Sequence, residues 1–124
     1  MVKQIKERYN RFSDSVIYRW EYNLLDVDLK SRSTTLSVFI RCLNLQNSIW
    51  ENVKIDFNDV TAFRFVETSK RKNSTVFEAL IEQKGDEVIF DFFPIQVDGK
   101  GELKEDSNSD FSIHCASLSY ELLV

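Results

Sequence analysis

Hydrophobic positions change their spacing once, near residue 14. Before it, Val2, Ile5, Tyr9 and Phe12 recur at steps of 3, 4 and 3. That spacing sets them on one face of an amphipathic helix over residues 1–13, with Lys3, Lys6, Glu7 and Arg8 elsewhere on the wheel. Ser13-Asp14-Ser15 ends it. From Ser15 the period is two, and strands follow. In "SVIYRWEYN", Val16, Tyr18, Trp20 and Tyr22 face one way and Arg19, Glu21 and Asn23 the other, with Ile17 the exception. A second short strand holds Leu25, Val27 and Leu29, with Asp26 and Asp28 outward, and "KSRS" is its turn. Leu36, Val38, Ile40 and Cys42 share the next face. Phe39 and Leu43 make the reverse face apolar too, which marks a central strand. After the loop "LNLQNS", Val53, Ile55 and Phe57 lie opposite Lys54 and Asp56. "NDVT" interrupts the alternation, through a bulge or a single helical turn. Phe63 and Phe65 resume it, and "TSKRKNS" forms a polar, basic tip.

The next hairpin yields to arithmetic. With Gly85-Asp86 as a two-residue type II′ turn, Gln83 faces Val88, Ile81 faces Phe90, and Ala79 faces Phe92. On the reverse side Glu82 meets Ile89 and Leu80 meets Asp91. A three-residue loop would set Glu82 against Val88 and Glu78 against Phe92, placing carboxylates on core residues. The two-residue turn is therefore expected. Pro94, lacking an N–H, ends a strand or lies at an edge. "QVDGKGELKEDSNSD" reads as mostly loop, with a weak strand near residues 101–104. "FSIHCASLSYEL" is the last strand. Its apolar phase shifts from Phe111, Ile113 and Cys115 to Leu118, Tyr120 and Leu122. A bulge near Ser117, cover on both sides, or a helix from Ser117 would account for that.

A chain of 124 residues, 43% hydrophobic and holding ten Phe, can build one core over residues 1–124 without metal or disulfide staples. No apolar run reaches the roughly 18 residues of a membrane-spanning helix. The charged N-terminus is unlike a signal peptide, so a cytoplasmic location is expected. Asn73-Ser74-Thr75 matches a glycosylation acceptor but has no meaning without secretion. Net charge is −4, and residues 85–124 hold nine Asp or Glu against two Lys. That acidic third argues against nucleic acid and toward either a basic protein partner or simple solubility.

Candidate chemistry is sparse. His114 and Cys115 adjoin, but neighbours on a strand point to opposite faces and cannot form a nucleophile–base pair. Cys115 reads as core, and His114 as a surface or partly buried structural residue. A Cys42–Cys115 disulfide needs neighbouring strands; two buried thiols are the expectation for a cytosolic chain. Two cysteines and one histidine, with no CxxC, do not make a zinc site. With three Gly there is no glycine-rich phosphate loop, and no GxSxG or HExxH occurs. Asp26 with Asp28, and Asp56 with Asp59, are carboxylate pairs best read as solvated faces. Trp20 reads as core. Trp50, at a loop–strand junction, is the better surface anchor. The basic tip Lys70, Arg71 and Lys72 and the acidic Glu102, Glu105 and Asp106 complete the candidate partner contacts. No catalytic residue, cofactor site or metal site is expected.

"LSVFIRCLNL", "VKIDFNDVTAFRF" and the terminal "FSIHCASLSYEL" resemble small bacterial β-rich proteins found as antidotes beside polymorphic toxins. The shared features are a strand ending near Cys42, V-x-I-x-F-x-x-V at Val53–Val60 and I-x-C-x-x-L-x-Y at Ile113–Tyr120. The resemblance spans residues 36 to 120 and implies a toxin-binding immunity role without catalysis; it carries over no functional residue. The expected fold is mainly β: an antiparallel sandwich or partly open barrel of about seven or eight strands with an N-terminal helix. The expected function is a non-enzymatic protein-binding module. A small-ligand carrier with an aromatic-lined cavity is the alternative, and an enzyme built on carboxylates and tyrosines a third.

Overall fold

The computed structural model describes residues 1–26, 32–66, 75–97 and 101–123. Helix α1 (Val2–Tyr9) is followed by β1 (Ser15–Asp26), β2 (Arg32–Asn44), β3 (Ile49–Phe65), β4 (Thr75–Val76), β5 (Leu80–Lys84), β6 (Glu87–Asp91), β7 (Ile95–Val97), β8 (Glu102–Lys104) and β9 (Phe111–Leu123). Seven strands form one antiparallel sheet in the order β4-β1-β2-β3-β9-β6-β5, and β7 pairs with β8 as a separate ribbon. The fold is thus mainly β with one short helix, and the sheet is not closed into a barrel. The proposed strand at Leu25–Leu29 is no separate element as far as the structure describes it, because β1 already runs through to Asp26. Residues 27–31, the basic tip and most of the glycosylation triplet lie outside the described residues.

The helix is shorter than its periodicity predicts. It stops at Tyr9 because Asn10 takes φ 53°. Phe12 is buried all the same, carried inward by the strap Asn10–Asp14 rather than by a helical face. The hairpin arithmetic holds: Leu80 pairs with Asp91, Ile81 with Phe90, Glu82 with Ile89 and Gln83 with Val88. Gly85 has φ +58° while Asp86 is not left-handed, the signature of a type II′ turn. Ala79 falls just outside the ladder, and its N–H donates to the Arg11 carbonyl at 2.6 Å.

The sheet folds over itself. Tyr22 pairs with Leu36, and Leu36 with Phe57. Yet Tyr22 stacks on Phe63, six residues further along β3, with ring centroids 5.1 Å apart. The cause is a kink in β3. Its pairing with β9 slips between Val60 and Ala62, leaving Thr61 extra, and Asp59 sits at φ 54°. The phase shift expected near Ser117 is present, since Phe111, Ile113, Cys115 and Leu118 are buried, but no surplus residue makes it: Cys115–Leu118 run one for one against Val60–Phe57, and both strands change face together at Asp59, just before the slip at Thr61. Helix α1 packs against β2 and β5 and covers the open side. Ile5, Tyr9 and Phe12 close the core over Phe57, Phe90, Phe92 and Phe111. Each buried ring contributes roughly 2–3 kcal/mol of transfer free energy.

Candidate functional site

A β-bulge in β1 creates the exposed face that carries the best functional residues. Ile17 pairs with Ile40, and the next paired residue, Arg19, meets Phe39; Tyr18 is the extra one. The bulge explains why Ile17 broke the alternation. It also corrects the placement of Val16 and Tyr18, which share no face with Trp20. Trp20 follows Val38 inward, whereas Val16 sits opposite the exposed Arg41, and Tyr18 reaches Phe39 on the outside at 6.2 Å. Bulges re-aim single side chains in this way. Cross-strand pairs share a face, so Leu43–Trp50, Val16–Arg41–Asn52 and Arg19–Phe39–Lys54 form successive rows of one outer surface. Tyr18 is 52% exposed, Trp50 44% and Val16 41%, although all three are large and apolar.

The charges on this surface are unevenly satisfied. Arg19 pairs with Glu21 and lies 5.0 Å over the Phe39 ring. Lys54 lies 3.7 Å from Asp56 and 3.8 Å from Glu121. Arg41 donates only to the Asn52 amide oxygen, at 3.3 Å, and has no carboxylate partner among the described residues.

The hairpin tip that presents Trp50 is held rigidly. Ser48 N–H donates to the Asn44 carbonyl at 2.8 Å, Gln46 N–H to Asn44 Oδ1 at 2.9 Å, and Ile49 N–H to Asn47 Oδ1 at 3.0 Å. Leu45 N–H reaches the Arg8 carbonyl at 2.8 Å, tying the tip to the helix. Behind it, Tyr9 Oη donates to Glu51 Oε2 at 2.8 Å and Asn44 Nδ2 to Glu51 Oε1 at 2.9 Å. Burial pushes the Glu51 carboxyl up, but these donors, Asn47 and the nearby Arg8 together hold it below its ordinary value. Burial and the same carboxylate push the Tyr9 phenol well up. Between tip and strap lies an open hollow of about 210 Å³ lined by Tyr9, Phe12, Asp14, Leu43, Leu45 and Trp50. Its strap is strained: Asn10, Phe12 and Asp14 all have positive φ.

The other sequence-derived candidates lie elsewhere. Lys70, Arg71 and Lys72 fall outside the described residues, as does Asp28. Glu105 is turned onto His114 Nε2 at 2.6 Å, while Glu87 contacts Nδ1. Asp106 gives its N–H to Asp91 and accepts from the Asn108 N–H, and Glu102 stays exposed on β8. His114 is nine residues along β9 from Leu123, which pairs with Asn52, so about 30 Å of strand separates these acids from the Trp50 end. The structure does not bring them together with Trp50. Trp20 is in the core rim, as expected, against Phe65 and Phe111. Sequence reasoning missed Tyr18, Val16 and Arg41. Only the misplaced Ile17 signalled them.

Cys115 faces the core and His114 the opposite side. Cys42 and Cys115 are both free and buried, with β3 between their strands. Burial raises the Cys42 thiol to about 12 and the Cys115 thiol to about 11. Phe57, Phe90, Phe92 and Phe111 are fully buried with neighbouring rings 4.5 to 5.2 Å apart, so rings occupy the space between the sheet halves. Among the described residues, no helix is long and apolar enough to cross a membrane, and no three His, Cys, Asp or Glu are arranged to hold a metal. Comparison with protein-family models, curated proteins and solved structures finds no match to this chain.

Proposed function

We propose that this chain is a non-enzymatic protein-binding module that engages its partner through the outer face of β1–β3, around Trp50, Tyr18 and Arg41. The observation that carries the reading is one contiguous exposed surface holding a Trp, a Tyr and an Arg, the three residue types that dominate binding hot spots. A rigid tip supports it, because a backbone already fixed loses little freedom on binding. Arg41, which meets no carboxylate among the described residues, suits a partner that presents one beside apolar side chains. The reactive groups are occupied structurally: both thiols are buried and the imidazole is held by two carboxylates. The sequence resemblance suggests a toxin as that partner, which makes the chain its immunity protein.

Calorimetry between this chain and the products of the genes beside its own tests the reading. Trp50→Ala and Tyr18→Ala should each weaken binding about thirtyfold or more, as hot-spot truncations do. Absence of binding by neighbouring gene products, or equal affinity in both variants, would overturn it.

A further inference from the structure

Ile89 and Asp91 point away from the interior, because Ile89 pairs with His114 and Asp91 with Ser112, on the side opposite Val88, Phe90 and Cys115. Both are nevertheless buried. Asp91 lies beneath the neck of the β7–β8 ribbon, and Ile89 beside His114, which the neck residue Glu105 contacts. Asp91 clamps both stems of that neck. It accepts the Phe93 N–H at 3.0 Å from the incoming stem, the Asp106 N–H at 2.9 Å from the outgoing one, and the Ser109 hydroxyl. A side-chain tie also joins the neck of the ribbon to the sheet, from Glu105 to His114. Leu103 of the ribbon lines two hollows, one of about 290 Å³ with Phe92, Phe93 and Pro94, the other of about 470 Å³ with Leu80, Glu82 and Lys6.

A neutral imidazole has one N–H and can donate to one carboxylate only. Here both ring nitrogens meet carboxylate oxygens, Glu87 from β6 and Glu105 from the ribbon neck. With both carboxyls ionised, the arrangement requires the imidazolium. We propose that His114 is a proton-operated latch for the β7–β8 ribbon: protonated, it holds the ribbon down through Glu105; deprotonated, it lets the ribbon pivot about Asp91 and join the two hollows beside Leu103.

The sign follows from the groups that face the ring. Glu87 and Glu105 touch it, the paired residue on β3 is Ala62, and Arg64 and Asp59 lie further along that strand. Burial lowers the affinity of His114 for its proton, but the hydrogen bonds and charges of Glu105 and Glu87 outweigh it, and the net direction is upward. The closed ribbon therefore binds this proton more tightly than an open one, and it loosens as pH rises through the titration of His114. Asp91, as the pivot, keeps its Ser109, Asp106 and Phe93 partners in both positions of the ribbon, so the pH dependence falls to His114.

The test is NMR on the intact chain, following the His114 ring protons together with relaxation of the Ile89 and Leu103 methyls by a soluble gadolinium chelate. Methyl relaxation should rise with pH at the His114 midpoint. The open fraction should grow about tenfold for each unit separating the two states' titrations. His114→Gln and Glu105→Gln should each abolish that pH dependence, while the Val38 and Ile55 methyls stay protected throughout. A flat response, a response that survives in both variants, or parallel exposure of Val38 and Ile55 would each overturn the latch.

Discussion

Trp20 and Phe65 touch across the interior, with ring centroids 5.1 Å apart and an interplanar angle of 51°. Trp20 pairs with Val38, and Val38 with Ile55, so the residue of β3 level with Trp20 is ten positions from Phe65. Ten residues of strand measure about 33 Å, a gap that no flat sheet could bridge. The contact exists because β3 kinks at Asp59–Thr61 and turns its second half over the first. Phe63 and Phe111 complete the cluster around the indole.

If that cluster holds the two halves together, its members must couple energetically. Trp20→Ala should lower unfolding free energy by about 3 kcal/mol, and a double-mutant cycle with Phe65→Ala should return a coupling of about 1 kcal/mol. Urea denaturation monitored by far-UV circular dichroism measures both. Additive losses would show that the rings merely lie side by side.

The sequence made local geometry legible wherever one period ran uninterrupted. Leu36 to Cys42, Val53 to Phe57 and the Gly85-Asp86 hairpin follow directly from alternation, since a one-residue slip would expose a whole core face. The three interruptions were harder. Ile17 and the "NDVT" break each mark a register irregularity and the phase shift after Cys115 a change of face shared by two strands, but alternation alone does not say which residue is extra or what it re-aims. The contact face depended on that choice, because Tyr18 and Val16 read as core until the bulge is placed. Glu105 and His114 were equally out of reach, nine residues apart, because the stretch that holds Glu105 reads as loop and alternation says nothing of where a loop side chain turns.

The bulge itself can be tested against the face it builds. Tyr18→Ala keeps the register and removes an exposed ring, so stability should change by less than about 0.5 kcal/mol. Deleting Tyr18 instead leaves no extra residue in β1. Alternation from Trp20 then keeps Arg19 outward, Ile17 inward on Ile40 and Val16 outward on Arg41, so the ladder closes regularly and the deletion should cost less than about 1 kcal/mol. Thermal unfolding of the two variants should give similar melting temperatures. A wide separation would mean that Tyr18 is not the surplus residue of the register.

Backbone sign predicts opposite outcomes at two turns. Ser48 holds φ 59° at the exposed hairpin tip, so Ser48→Gly relieves left-handed strain and should stabilise the fold by about 0.5 kcal/mol after the glycine entropy cost. Gly85 holds φ +58°, and a methyl group there would meet no other atom within 4 Å. Gly85→Ala should therefore cost about 1 kcal/mol from backbone strain alone. Chemical denaturation midpoints would move in opposite directions. A shift of the same sign in both would contradict the assignment.

The two thiols give a pH dependence of definite sign. Folding raises Cys42 to about 12 and Cys115 to about 11, chiefly by burial. The folded chain therefore keeps both protons at pH values where the unfolded chain releases them. Their contribution is intact below the unfolded value near 9 and is lost as pH climbs toward the folded values. At about pH 10 each thiol should lower stability by about 1 kcal/mol relative to neutral pH. Cys115→Ala should shrink that pH-dependent loss by roughly half, whatever it does to stability at neutral pH, because alanine has no proton to release. The thiolate is also the species that attacks a disulfide reagent, so at neutral pH both cysteines should react only as fast as the core opens. Rapid labelling of either thiol in the folded chain, or an unchanged alkaline limb in the variant, would show that these sulfurs are not sealed in the core.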